Sequence, residues 1–173
     1  MKKKQYLTSL FLSFFLLFLI ASCTKEQGCT NNNAINYSSN AEENDGSCLF
    51  AYDLAQGTWG ITASCEDIDI LNQTISIGDQ LPDSIEVLGS GNNILYINIS
   101  GNEISGEIDK NGNIIVNNQS IQFDIGLGIP LPISVYGNGQ INNSSFGNMI
   151  ITYVIDNPFG NPEELSCNIF MQK

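Results

Sequence analysis

The sequence predicts an all-β domain, a small antiparallel up-and-down β-barrel over residues 52–173, and three observations carry that expectation. Apolar side chains recur at every second position: Trp59, Ile61, Ala63 and Cys65; Ile75 and Ile77; Ile85 and Val87; Leu95, Ile97 and Ile99; Ile121, Phe123 and Ile125; Cys167, Ile169 and Met171. A period of two puts such residues on one face of a half-buried strand. Glycine and asparagine break these runs at intervals of about 8 to 12 residues, the turn spacing of sandwiches and barrels. Cys65 and Cys167 share strand faces with core-like residues near the two ends of the domain. A bridge between them would set first and last strands side by side, which closes a meander and removes its edges.

In chain order, the first element is an address. Residues 1–22 carry Lys2, Lys3 and Lys4, an apolar stretch from Leu7 to Ile20, and the small residues Ala21 and Ser22. This is the make-up of a secretory signal. The 15 residues from Leu7 to Ala21 fall short of the roughly 20 apolar residues that span a bilayer. Ile20-Ala21-Ser22-Cys23 resembles the bacterial lipobox, which implies cleavage before Cys23, acylation of its thiol and stable membrane anchoring through several acyl chains. Thr24-Lys25-Glu26-Gln27 is loosely similar to the export tag of Bacteroidetes surface lipoproteins. The similarity implies the outer membrane of a bacterial envelope, with a lean towards surface exposure. The expected organisation is a signal over 1–22, an anchor and stapled module over 23–51, and the barrel over 52–173.

With Cys23 assigned to lipid, four of the five cysteines remain, and four can pair in three ways. Spacing favours Cys29 with Cys48 inside a short polar segment, and Cys65 with Cys167 across the main domain. With no histidine and no Cys-x-x-Cys, thiolate ligation of zinc is the weaker use of these residues. The segment 28–48 is too short to bury a core of its own, and a staple with Asn, Asp and Gly turn chemistry accounts for its order. Gly28-Cys29-Thr30, Ala34, Asn36-Tyr37 and Asp45-Gly46-Ser47-Cys48 resemble a Cys-bounded module of secreted Bacteroidetes proteins, itself similar to thrombospondin calcium repeats. The resemblance implies a weak calcium site with ligands from Asp45, Glu42, Glu43 and Asn31. Asn31 and Asn44 stand where the module has aspartates, and exchanging carboxylate for amide lowers calcium affinity. A stapled spacer without an ion is the competing expectation.

In the main domain, Glu103 to Asn117 reads as a hairpin, with Asn111-Gly112 expected to form a type I′ turn. Gly126 to Pro132 is a Gly/Pro-rich interruption suited to an edge or loop. Met149 to Ile155 is apolar on both faces, and no helix of consequence is expected. Gly57-Thr58-Trp59, Cys65, the Val135-Tyr136-Gly137-Asn138-Gly139-Gln140-Ile141 strand and Cys167 together resemble lipocalin-like domains of Bacteroidetes lipoproteins. That resemblance implies a small antiparallel barrel and leaves its ligand open.

Composition narrows the function. The 18 acids face six lysines and no arginine, a formal charge of −12. Loss of residues 1–22 would remove three lysines and no acid, leaving three lysines against 18 acids, or −15. Histidine-based catalysis and bidentate arginine clamps are absent, and such a polyanion repels nucleic acid. The expectation is a lipid-anchored, non-enzymatic envelope protein with no resident cofactor. Its ligand would be a small apolar molecule, a glycan or a partner protein at the barrel mouth. A structural or adhesion module without a cavity is the alternative, and a carboxylate-based hydrolase the remote one. Glu66-Asp67-Ile68-Asp69 reads as a solvated loop after the first strand. Asp83-Ser84-Ile85 resembles a short Bacteroidetes O-glycosylation pattern.

Overall fold

The computed structural model describes residues 25–70, 73–99, 101–124, 130–156 and 162–173. The expected signal, Cys23, Ile125 and residues 126–129 of the Gly/Pro interruption lie outside these.

The chain begins with a stapled module in which β1 (Gln27–Gly28) pairs in parallel with β2 (Glu43–Asn44). A short helix α1 (Ala51–Ala55) leads into β3 (Gly57–Cys65). A side hairpin of β4 (Asp67–Ile70) and β5 (Gln73–Ser76) follows, then a 3-10 turn over Gly78–Gln80. The remaining strands are β6 (Ser84–Gly91), β7 (Ile94–Ile99), β8 (Asn102–Ile108), β9 (Asn113–Asp124), β10 (Pro130–Ile141), β11 (Phe146–Ile155) and β12 (Glu163–Gln172). Strands β3 and β6 to β12 form one closed barrel in chain order, each antiparallel to its neighbours. The all-β, up-and-down barrel expected from the periodicity is therefore the fold.

Closure falls where the cysteines placed it. β12 pairs with β3 from Cys167 opposite Cys65 to Gln172 opposite Gly60. The two cysteines face each other and form a disulfide. On the partner strands, Trp59, Cys167, Ile169 and Met171 are buried while Thr62, Ser64, Asn168 and Phe170 are exposed, the alternation that the period of two demands. Two glycines on β10 let the wall pack tightly. A Cβ at Gly137 would overlap Ile150 O, and one at Gly139 would lie 2.5 Å from Met149 Cγ.

Three expectations need correction. The barrel does not begin at residue 52: the residues before the first strand form a short helix over Ala51–Ala55. Its apolar Ala51 and Ala55 are buried against the barrel core, and Trp59 Nε1 donates to Ala55 O at 2.7 Å. Tertiary anchoring thus outweighs the weak local signal of a five-residue helix. The acidic run is no loop: Asp67 to Ile70 forms β4, paired with β5 through Ile68 opposite Ile75 and Asp69 opposite Thr74. Its β-branched residues suit a strand, and Thr74 Oγ1 donates to Asp69 Oδ1 at 2.6 Å. The third correction concerns turns. Asn111-Gly112 is not a type I′ pair, because among these two only Gly112 has positive φ, at 87°. Asp109 N donates to Asn113 O and Gly112 N to Asp109 O, which makes a three-residue loop with a left-handed glycine. The Asp109 carboxylate enforces it by accepting from Asn111 N and Asn113 N. The two-residue turn with both φ positive is Asn92-Asn93, at 54° and 62°, between β6 and β7.

Candidate functional site

A ligand held in the barrel would need space, and the interior is filled. Trp59, Tyr153, Ile133, Ile141, Met171 and Val135 are all less than 2% exposed. Among the described residues, the space inside includes a cavity of about 30 Å³ bordered by Ile85, Val87, Leu95, Ile104, Ile114 and Met149. That holds a water molecule or two; small-molecule sites run to about 300–1,000 Å³. One end is latched by the last residue: Lys173 Nζ donates to Leu54 O at 2.7 Å and Gln56 O at 2.5 Å. The same ammonium lies 4.5 Å from the Trp59 ring centroid, a cation–π contact. Burial lowers the Lys173 pKa and pushes the Tyr153 phenol up to about 12.

The wall has one seam where side chains replace the backbone ladder. β8 and β9 pair at Glu107 opposite Ile115 and Ile108 opposite Ile114. Further along, Gln119 Nε2 donates to Ser105 O at 2.8 Å while its Oε1 accepts from Ser105 N at 3.0 Å. Asn102 does the same for Gln122, donating to its carbonyl at 2.6 Å and accepting from its amide at 2.9 Å. Each amide side chain stands in for a peptide group of the neighbouring strand.

In the stapled module, Cys29 and Cys48 form the second disulfide. Asn36 clamps the module's end, donating to Ser47 O at 2.6 Å and accepting from Leu49 N at 2.8 Å. Of the calcium candidates, Asn31 Oδ1 accepts from Asn33 N and Asp45 Oδ1 from Ser47 N, both at 2.9 Å. Glu43 Oε2 accepts from Gln27 Nε2 at 3.4 Å, and Glu42 is exposed. The structure thus engages Asn31, Asp45 and Glu43 in local bonds. Among the described residues, no three acid or cysteine side chains gather as a metal-holding group. The Ser47 hydroxyl and amide hold the Asp45 carboxyl below its ordinary range. At Asp109, slight burial acts upward, but hydrogen bonds from Asn113 and Asn111 prevail and lower the pKa. Both shifts run opposite to the raised pKa of a general acid.

The outer surface divides by charge. Outward positions on β6 and β8 include Glu86, Glu103 and Glu107, all solvent-accessible. The next five strands around the barrel differ: β10, β11 and β3 carry no charged residue, and β9 and β12 carry acids only at one end, Asp124 on β9 and Glu163 and Glu164 on β12. Register lays their exposed side chains in cross-strand rows. One row runs Ile115, Asn138, Ile150, Asn168 and Ser64. The next runs Asn113, Gln140, Asn148, Phe170 and Thr62. Phe170 is 48% exposed, and its ring centroid lies 6.1 Å from that of Phe146. Beside it an open depression of about 340 Å³ is lined by Gly60, Ile61, Thr62, Asp83, Phe170, Gln172 and Lys173. The sequence contained these rows, but only barrel closure, through β12 pairing with β3, brings the residues of β3 beside those of β12.

No family model matches the chain, and no curated protein matches it. Among solved structures it is similar to a redesigned β-barrel, with 17% identity and a TM-score of 0.39 over 71% of this chain and 94% of that one.

Proposed function

We propose that this chain is a lipid-anchored, non-enzymatic protein of the bacterial outer membrane whose barrel is a rigid interaction module acting through its outer surface. The observation that supports an outer-surface role is the filled interior, whose cavity among the described residues is about 30 Å³. A lipocalin-type apolar ligand would have to displace packed side chains, each worth about 1.5–3 kcal/mol of burial. Lipidation at Cys23 rests on the lipobox resemblance, and the stapled module serves as the spacer between anchor and barrel.

Native mass spectrometry of the protein purified from its own membrane tests this reading. The expected species starts at Cys23, carries a diacylglyceryl group and an N-acyl chain, holds two disulfides and brings no stoichiometric apolar molecule. A species retaining residues 1–22, or one with a bound apolar ligand, would refute it. The same spectrum reports calcium on the module.

A further inference from the structure

The uncharged wall is the feature that the fold itself does not require. Inward residues explain barrel packing, but nothing in packing requires that β10, β11 and β3 carry no charge and that β9 and β12 carry theirs only at one end. The chain carries 18 acids, and outward glutamates occur on β6 and β8 of the same barrel. We propose that this wall binds a neutral oligosaccharide, with Phe170 stacking on a sugar ring over the depression at β3 and β12. The inference rests on the outer-surface reading above and names its partner.

Three properties of the wall select that chemistry. The first is neutrality. The cation bordering these strands, Lys173 at the depression, already gives its ammonium to Leu54 O, Gln56 O and the Trp59 ring, so a partner carrying phosphate, sulfate or uronate groups meets chiefly the repulsion of the surrounding acids. An uncharged partner incurs neither repulsion nor the desolvation of an ion.

The second is the alternation of polar and apolar side chains across the strands. Asn138 stands between Ile115 and Ile150, Ile150 between Asn138 and Asn168, and Phe170 between Asn148 and Thr62. A protein–protein interface concentrates its apolar residues in a dry centre. Here, apart from the Phe146–Phe170 contact, the cross-strand neighbours of Ile115, Ile150 and Phe170 along these rows are amides or hydroxyls, which both donate and accept hydrogen bonds. A pyranose presents the matching pattern, hydroxyls around its rim and C–H groups on its faces. Neighbouring strands lie about 4.8 Å apart, so a five-strand row extends about 19 Å, room for several linked sugars.

The third is a place to seat one ring. Phe170 is held at the edge of the depression by its contact with Phe146, at an interplanar angle of 36°. Gly60 leaves the opposite floor bare, and Thr62, Gln172 and Asp83 supply hydroxyl, amide and carboxylate partners around it. An aromatic wall with a few converging polar groups is the general form of a small-ligand site.

Affinity electrophoresis of the detergent-solubilised, full-length product tests the proposal. Native gels would contain a soluble α-1,4-glucan, a β-1,3-glucan, a xylan or an α-mannan, with a polyuronate gel as the charged control. The expected result is retardation in at least one neutral gel and none in the polyuronate gel. Phe170→Ala should raise the polysaccharide concentration needed for the same retardation at least tenfold, while Phe170→Tyr retains binding. Both variants should keep the wild-type circular dichroism and both disulfides. Normal mobility in every neutral gel, or unchanged retardation of Phe170→Ala, overturns the proposal. A dimer seen by sedimentation that Phe146→Ala or Phe170→Ala dissolves also overturns it, yet leaves the outer-surface reading standing. Loss of that broader reading would instead show as an apolar ligand in the native mass spectrum.

Discussion

Breaking the Cys65–Cys167 disulfide tests how this barrel is closed. The bond joins residues 102 apart in sequence. In the chain-entropy model a loop of that length changes the denatured-state entropy by about −16 cal/mol/K, worth about 4.7 kcal/mol at 25 °C. Engineered and native bridges commonly deliver about 2–4 kcal/mol, so 4.7 is an upper bound. The noncovalent closure survives the change, since β12 and β3 remain paired from Asn168–Ser64 to Gln172–Gly60. Cys65→Ala with Cys167→Ala should therefore stay folded but lose about 2–4.7 kcal/mol in urea unfolding, followed by Trp59 fluorescence. Its m-value should rise as well, because an unlinked denatured chain exposes more surface. The Cys29–Cys48 bond closes only 19 residues of the module, so Cys29→Ala with Cys48→Ala should leave the barrel transition within about 0.5 kcal/mol of wild type. Equal losses from the two pairs, or no loss and no change in m for the first, would refute the idea that Cys65–Cys167 closes the barrel and Cys29–Cys48 only its spacer.

Other consequences are equally direct. Lys173→Met removes two charge-assisted bonds and a cation–π contact, and should cost about 1–2 kcal/mol after allowing for its exposure, read as a lower thermal midpoint. Gln119→Ala leaves the Ser105 amide and carbonyl without their side-chain partner. It should lose about 1–2 kcal/mol and speed hydrogen exchange at Ser105. Tyr153 has its pKa raised from 10.0 to about 12. A group whose folded pKa lies above its unfolded value contributes stability that is complete below the unfolded pKa and lost as pH rises through the folded one. Stability should thus fall between pH 10 and pH 12, by up to about 2.7 kcal/mol for two units. Tyr153→Phe should flatten that slope, and tyrosinate absorbance should show one group titrating near pH 12. A slope unchanged in the variant would assign the alkaline loss to other groups.

The filled interior and the neutral wall point the protein's contacts outward. A barrel of this size can enclose a ligand only by leaving side chains small, and here Ile, Met and Trp occupy the centre. The glycines at 137 and 139 do not open a cavity. Ile151 and Met149 pack into the space they leave.

Much of this architecture was legible in the amino-acid order because strands obey a local rule. A period of two separates Trp59 from Gly60 and Ile169 from Phe170 whatever the rest of the chain does. Cysteine spacing then selected both disulfides, including the one that closes the barrel. Features that depend on distant partners were not legible. The helix at Ala51–Ala55 forms because the barrel buries its two alanines. The side chains of Asn102 and Gln119 act as peptide groups only because β8 and β9 diverge beside them. The Asn-Gly dipeptide misled for a similar reason: its turn is governed by the Asp109 carboxylate and by Ile141 N donating to Gly112 O.

The sequence by itself determined the strand faces, the cysteine pairs and the acidic balance, because alternation, spacing and charge are properties of neighbouring residues. Only the tertiary structure decided that the interior is full and that the charge-poor strands lie together. Packing density depends on every side chain meeting at the barrel axis. Adjacency on the wall depends on β12 returning to β3, residues separated by more than a hundred positions in the chain.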